Sequence, residues 1–234
     1  MAGRCLLYYI TDRSQFRGDE RSRSRALLAK VAEAARASVD YIQLRERDLS
    51  ARELESLARE AVAAISENAS ASASENISKN DREQSPSTRL LINHRTDIAL
   101  AVGADGVHLR GDDVGPHEVR RVLSASVPLL PTKGRFLVAA SCHSNEDIIR
   151  AESDAVDFAV FAPVFEKSSA PGSQPTGVIA LRQARSRKIP LLALGGVTIE
   201  NAESCLDAGA AGVAGIRLFQ ENKIGDIVRA LRAL

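Results

Sequence analysis

Residues 136–164 read FLVAASCHSNEDIIRAESDAVDFAVFAPV. An aliphatic run at 136–141 is followed by a polar stretch of helical period at 145–152 and then by a second aliphatic run at 158–164. Two buried strands that flank an amphipathic helix are typical of a parallel βαβ unit. The segment therefore predicts parallel strands, joined by a helix, rather than hairpins.

The same alternation extends along the chain in both directions. The strand candidates are 6–11, 41–45, 89–94, 106–110, 136–141, 158–164, 190–196 and 212–219. The helix candidates are 25–37, 51–66, 116–123, 145–152, 177–187, 199–209 and 224–234. Eight βα units in 234 residues predict a single (β/α)8 TIM barrel over 1–234. A doubly wound open sheet would usually place a glycine-rich turn after its first strand, and the turn at 11–16, TDRSQF, has no glycine.

Composition excludes several classes of protein. The chain has 31 Lys plus Arg against 30 Asp plus Glu, a net charge of +1, which argues against a nucleic-acid binder. The near-apolar run at 5–10 is far shorter than the roughly 18 to 20 residues that a membrane helix needs. With neither a membrane span nor a signal peptide at its start, we expect a cytoplasmic protein with no membrane partner.

Two stretches interrupt the barrel pattern. Residues 66–88 contain seven Ser and three Asn, a composition typical of a mobile or disordered loop. This loop follows a predicted helix, so we place it at the N-terminal face of the barrel, away from the usual active site. Residues 166–177, EKSSAPGSQPTG, follow a strand and are a candidate lid at the opposite face.

The last two strands end in small residues that suit a phosphate. Gly195 and Gly196 follow the seventh strand, and Gly215 and Arg217 follow the eighth. Barrel enzymes often bind a phosphate in the loops after these two strands, where glycines permit close backbone approach and N–H groups meet the anion. Glycines at strand ends also serve turn geometry, but two such loops together predict a phosphate site.

Other strand ends carry polar side chains that a packed core would not require: Gln43, Arg45, Asn93, His94, His108, Asp112, Asp113, Ser141 and His143. An arginine in a barrel mouth suits carboxylate or phosphate oxygens, although Arg45 could instead pair with Glu46. His143 is the best acid/base candidate because imidazole exchanges protons near neutral pH; the alternative is a solvated loop histidine. We expect His108 to be a buried interior histidine, while Asp112 and Asp113 could cap a helix or hold Mg²⁺.

In their order along the chain, these residues resemble the family of thiamine phosphate synthase and TenI. The resemblance rests on YYITD (8–12), DYIQLRERDLS (40–50), LLINHRTDIALAVGADGVHL (90–109), ASCHSNED (140–147), DFAVFAPVFE (157–166), IPLLALGGVTIEN (189–201) and AGAAGVAGI (208–216). It implies a (β/α)8 barrel that binds a thiazole phosphate and, from relatives of this kind, association into a homo-oligomer. The family contains two activities that differ in what they need from the site.

The synthase branch implies Mg²⁺ on two aspartates and a loop rich in Thr and Lys for pyrophosphate. The first aspartate position is His94 here, whereas the second is Asp113. In the loop, only Lys167, Ser168 and Ser169 could replace the family's donors. Mg²⁺ prefers hard oxygen ligands, so imidazole in place of a carboxylate should weaken the metal site. In this alternative Asp113, Arg45, Ser141 and Lys167 would carry the reaction.

The TenI branch is a thiazole tautomerase, which aromatises a thiazole carboxylate phosphate by moving a proton and needs no cofactor. Its catalytic histidine lies in an S-x-H-S motif, which is present as residues 141–144. We therefore favour the tautomerase, in which Gly195, Gly196 and Gly215 hold phosphate. In this mechanism Gln43 and Arg45 orient the carboxylate and His143 shuttles the proton. A regulatory protein that binds the ligand without turnover is the third alternative.

Overall fold

The computed structural model describes residues 4–72, 88–126, 135–166, 175–184 and 188–234. The strands are Leu6–Ile10 (β1), Tyr41–Leu44 (β2), Arg89–Asn93 (β3), Gly106–Leu109 (β4), Leu137–Cys142 (β5), Phe158–Phe161 (β6), Leu191–Ala193 (β7) and Gly212–Gly215 (β8). The helices are Glu20–Arg36 (α1), Ala51–Ser72 (α2), Thr96–Val102 (α3), Pro116–Ser126 (α4), Asn145–Ser153 (α5), Gly177–Gln183 (α6), Ile199–Asp207 (α7), Arg217–Gln220 (α8) and Ile224–Arg232 (α9). Within the described ranges, no helix has the length and apolar character to cross a bilayer.

The eight strands are parallel and form a closed barrel in sequence order. Closure is made by β1, which pairs with β2 on one side and with β8 on the other. The predicted (β/α)8 TIM barrel is confirmed. In this architecture the carboxyl ends of all strands meet at one face, and the residues after each strand converge there.

Side-chain alternation along the strands produces two apolar layers. On β1, Tyr8 belongs to the cluster inside the barrel, whereas Leu7 and Tyr9 belong to the layer between the barrel and its helices. All three side chains are fully buried. Each buried side chain of this size contributes about 1.5–3 kcal/mol, so both layers stabilise the frame that positions the strand ends.

The boundaries differ from the predicted ones in several places. Helix α2 continues to Ser72, so the first seven residues of the predicted 66–88 loop are helical. Residues 73–87 of that loop lie outside the described residues. Strand β8 ends at Gly215, and residues 217–219, which were predicted to continue the strand, belong to the short helix α8.

Candidate functional site

The carboxyl ends of the strands open into a cavity of about 1230 Å³. Nine residues predicted for the site line it: Gln43, Arg45, Asn93, Ser141, His143, Gly195, Gly196, Gly215 and Arg217. They come from β2, β3, β5, β7, β8 and the loops that follow. The closed barrel therefore brings together residues that are up to 174 positions apart in the chain, from 43 to 217.

The loop after β7 approaches its neighbours so closely that only glycine fits. Gly195 and Gly196 have φ angles of 99° and 64°. A Cβ on Gly195 would lie 2.8 Å from Pro163, and one on Gly196 would lie 2.4 Å from the Glu166 carbonyl oxygen. Neither glycine N–H donates to an acceptor among the described residues. Such N–H groups in a cavity suit an anion, which fits the predicted phosphate site.

The loop after β8 adds a cation to the same side of the cavity. Arg217 begins α8 and lies 3.6 Å from Glu221, Nε to Oε1, with its side chain 45% exposed. Its place in a helix, rather than in the predicted strand, still leaves it lining the cavity. Because an ion pair this exposed is weak, Arg217 is free to turn to a bound anion.

Arg45 is a half-buried cation whose guanidinium has no ion pair among the described residues. Burial first, and then the neighbouring Arg47, lower the pKa of Arg45. The next residue, Glu46, points the other way and pairs with Arg13 at 3.1 Å. This alternation excludes the Arg45–Glu46 pair considered above and leaves Arg45 needing an anionic partner.

His143 is fixed through both its ring and its backbone. Nδ1 lies 2.7 Å from the carbonyl oxygen of Ala162, and because a carbonyl only accepts, Nδ1 carries a proton. The His143 N–H donates to Asp147 at 2.9 Å, and Asp147 forms a capping box with Ser144 at the start of α5. The ring therefore presents Nε2 as its basic atom, in a residue that lines the cavity.

His108 is buried, as expected, at 3% exposure. Its Nδ1 lies 3.1 Å from the Tyr8 hydroxyl, and its Nε2 lies 2.8 Å from Ser141 Oγ. Burial lowers the pKa of His108 to about 3, so the ring is neutral at physiological pH. Its pairing with Tyr8 could not be predicted from the sequence, since those residues are 100 positions apart.

The two residues at the predicted metal site, His94 and Asp113, are not placed to hold a metal ion together. His94 adopts a positive φ of 52° in a tight turn after β3, and its side chain is exposed rather than lining the cavity. This geometry removes it from the predicted substrate pocket. Asp113 accepts from the Arg110 N–H at 2.7 Å and from Arg110 Nη2 at 3.2 Å. It is therefore neither a helix cap nor a free carboxylate.

Across the described residues, no three His, Cys, Asp or Glu side chains come together to hold a metal ion. The carboxylate pair that the resemblance implies for Mg²⁺ does not fit residues 94 and 113. Lys167 and Ser169, with most of the candidate lid, lie outside the described residues.

Several cavity residues were not singled out from the sequence. Asp12, Ser14 and Gln15 line the mouth after β1, and Glu166 and Glu200 line the side near β7. The available signal was only their position after a strand, which many loop residues share.

Comparison with known proteins gives matches over nearly the whole chain. Residues 7–219 match the TMP-TENI family, described as thiamine monophosphate synthase. A protein of Aquifex aeolicus named "Putative thiamine-phosphate synthase 2" is 38% identical over 216 residues, 92% of this chain and 97% of the relative. A thiamine-phosphate synthase of Methanoculleus marisnigri is 34% identical over 230 residues, 97% of this chain and 92% of the relative.

Among solved structures, thiamine phosphate pyrophosphorylase from Pyrococcus furiosus superposes with a TM-score of 0.72 at 25% identity. The match covers 97% of this chain and 94% of that one.

Proposed function

Because the chain belongs to the thiamine monophosphate synthase family, we propose that it acts on a thiazole phosphate as a TenI-like thiazole tautomerase. The observation that carries the proposal is the position of His143, whose Nδ1 lies 2.7 Å from the Ala162 carbonyl oxygen and donates to it, so that Nε2 is the atom left to accept a proton. Such a histidine can take up and return a proton, as an isomerisation of this kind requires.

The proposed mechanism uses three parts of the cavity. The N–H groups of Gly195 and Gly196 hold the phosphate, and Arg45 pairs with the ring carboxylate. His143 Nε2 removes the proton from the carbon next to the imine and carboxylate, and the electron pair of the broken C–H bond enters the ring. The imidazolium, stabilised through Nδ1–H and Ala162, then returns the proton at the far end of the conjugated system, which leaves an aromatic thiazole.

The names of the relatives support a second candidate, thiamine phosphate synthase. This transferase would join a pyrimidine pyrophosphate to the thiazole phosphate with Mg²⁺. The surroundings of residues 94 and 113 argue against a synthase. The Asp113 carboxylate accepts hydrogen bonds from Arg110, and His94 is exposed. The geometry therefore favours the tautomerase, although the names favour the synthase.

The role of His143 is tested with His143→Ala and with a matched control, His117→Ala, an exposed histidine on α4. Tautomerase turnover and the Kd of thiazole phosphate are measured in EDTA. We expect turnover of His143→Ala to fall about 10²–10⁴-fold, with Kd changed by less than about threefold, because the histidine does not hold the phosphate. His117→Ala should match the wild type. Full turnover in His143→Ala would contradict the proposal.

A further inference from the structure

A line of polar side chains crosses the interior of the barrel and reaches the cavity. Gln43 Nε2 lies 3.2 Å from the Tyr8 hydroxyl, which lies 3.1 Å from His108 Nδ1. His108 Nε2 lies 2.8 Å from Ser141 Oγ. The first three side chains are buried at 0–3% exposure, and Ser141 is partly exposed. Gln43, His108 and Ser141 all line the cavity, whereas Tyr8 does not.

The hydrogen bonds of this line have one direction. The Gln43 amide donates to the Tyr8 oxygen, and among the described residues His108 Nδ1 is the atom within hydrogen-bond distance that can accept the Tyr8 hydroxyl proton. Since a buried hydroxyl needs an acceptor for its proton, we assign that proton to His108 Nδ1. A neutral imidazole has one N–H, and with Nδ1 accepting, that N–H is on Nε2. Nε2 therefore donates to Ser141 Oγ, and the proton of Ser141 is not used within the line.

We propose that this line, from Gln43 through Tyr8 and His108, commits the Ser141 hydroxyl to donate its proton into the cavity. The ligand atom opposite Ser141 is then an acceptor, an anionic oxygen of the substrate. Tyr8 and His108 are positioning residues, since they act through Ser141. The inference rests on the proposed function only for the source of that oxygen, which is the ring carboxylate for a tautomerase and pyrophosphate for a synthase.

Ser141 lies on β5, two strands from β7 and three from β8 around the barrel, and it lines the same cavity as the glycine loops that follow those strands. A ligand whose phosphate is held by those loops can therefore extend within this cavity to the Ser141 hydroxyl. Had Ser141 donated to His108 instead, it would offer only lone pairs to the cavity and would repel an anionic oxygen. The direction of the line therefore decides which ligands the site accepts.

The first test measures the His108 tautomer in the ligand-free protein by ¹⁵N NMR of histidine-labelled chain. The chain has four histidines, and the His108 signals are those absent from His108→Gln. We expect a neutral ring with the proton on Nε2, unchanged down to pH 5. A proton on Nδ1, or a mixture of the two forms, would overturn the proposal whatever reaction the protein catalyses.

The second test is a double-mutant cycle on binding of the carboxylated thiazole phosphate. Ser141→Ala should weaken binding about tenfold or more, because a hydrogen bond to a charged group is lost. Tyr8→Phe should weaken binding several-fold alone and not at all in the Ser141→Ala background, since it acts through Ser141. Additive losses in the two single variants would overturn the positioning role.

Two variants of His108 separate positioning from folding. His108→Gln can place an amide N–H near the position of Nε2 and should keep most of the affinity, whereas His108→Leu should bind as weakly as Ser141→Ala. Thermal melts confirm that each variant is folded. If His108→Leu binds as tightly as the wild type, the proposal is wrong.

The cycle is then repeated with thiazole phosphate lacking the carboxylate and with inorganic pyrophosphate. This comparison identifies which ligand oxygen accepts the hydrogen bond from Ser141. An effect of Ser141→Ala on the carboxylated ligand alone assigns the carboxylate, and an effect on pyrophosphate alone assigns pyrophosphate. An equal loss for all three ligands, or for none, would contradict a specific donor.

Discussion

Gly196 shows how one missing side chain shapes the loop after β7, the proposed phosphate site. Its φ of 64° costs about 1–2 kcal/mol for any other residue, and a Cβ would also meet the Glu166 carbonyl at 2.4 Å. Gly103 has almost the same φ, 68°, with nothing within 4 Å of a Cβ. Alanine substitutions at these two positions therefore distinguish the cost of backbone strain, which both share, from the cost of steric overlap, which only Gly196 has.

We predict that Gly196→Ala lowers the free energy of unfolding by about 2–4 kcal/mol and weakens thiazole phosphate binding about tenfold or more. Gly103→Ala should cost only about 1–2 kcal/mol, from its φ alone, and should leave binding unchanged. Urea unfolding and titration calorimetry measure both quantities. Equal losses of stability in the two variants would show that the loop has room for a Cβ.

His108 makes the protein sensitive to acid. Burial lowers its pKa to about 3 in the folded state, against about 6.5 in an unfolded chain. Between these values the unfolded chain binds a proton that the folded one does not, so the free energy of unfolding falls as pH decreases from about 6.5 to 3. At pH 5 the His108 contribution amounts to about 2 kcal/mol.

The check compares wild type with His108→Gln by urea unfolding at pH 7.5 and at pH 5. The wild type should lose about 2 kcal/mol more than the variant over this interval, because glutamine does not titrate. Parallel losses in the two proteins would mean that His108 is not held neutral by burial.

At the scale of elements, carboxylates tie neighbouring strands together at the N-terminal face. Asp40, Asp105 and Asp157 each stand immediately before an even-numbered strand, β2, β4 and β6. Each accepts the N–H of a residue near the start of the preceding strand, at Leu7, Leu90 and Val138 respectively. Before β8 the same position is Ala211, which has no carboxylate, so this hydrogen bond to the preceding strand is not made there.

Replacing Asp157 by alanine should lower the free energy of unfolding by about 2–3 kcal/mol. The change leaves the buried N–H of Val138 without its acceptor and removes the pairs with Arg120 and Arg135. Because this face is opposite the cavity, the Kd for thiazole phosphate should not change. Asp207→Ala, an exposed carboxylate at the end of α7, serves as the matched control and should alter neither quantity.

The periodic pattern predicted all eight strands, but it could not fix where each ended. Strand β7 stops at Ala193 rather than 196 because the two glycines beyond it turn at positive φ. Helix α1 begins at Glu20, five residues before the predicted start, since Asp19 caps it. The glycine pair and the Asp19 cap are local sequence features from which these two boundaries could have been predicted. The extension of α2 to Ser72 could not, because the Ser/Asn-rich composition of that segment favours a loop.

At the scale of the whole molecule, barrel closure explains which site residues could be predicted. Gln43, Arg45, Ser141 and His143 follow from one rule, that polar residues at strand ends converge, and all four line the cavity. The pairing of Tyr8 with His108 and the turn that exposes His94 depend on register and backbone conformation. Those features have no signature in the spacing of residues along the chain.

Because the barrel is closed, we also expect a bound ligand to stabilise the whole protein against unfolding. A ligand that bridges β2 and β7–β8 binds only the closed barrel, so thiazole phosphate at 100 times its Kd should raise the free energy of unfolding by about 2.7 kcal/mol. If the N–H groups of Gly195 and Gly196 hold the phosphate as proposed, EDTA should leave this gain unchanged. A gain that appears only with Mg²⁺ would contradict the proposed anion site.

The most direct test of the account is a paired assay of the wild-type protein. One arm follows aromatisation of the thiazole carboxylate phosphate in EDTA, and the other follows thiamine phosphate formation from thiazole phosphate and pyrimidine pyrophosphate with Mg²⁺. We expect turnover in the first arm and none in the second. Thiamine phosphate that forms only with Mg²⁺, without metal-free aromatisation, would contradict the tautomerase proposal and identify the protein as the synthase.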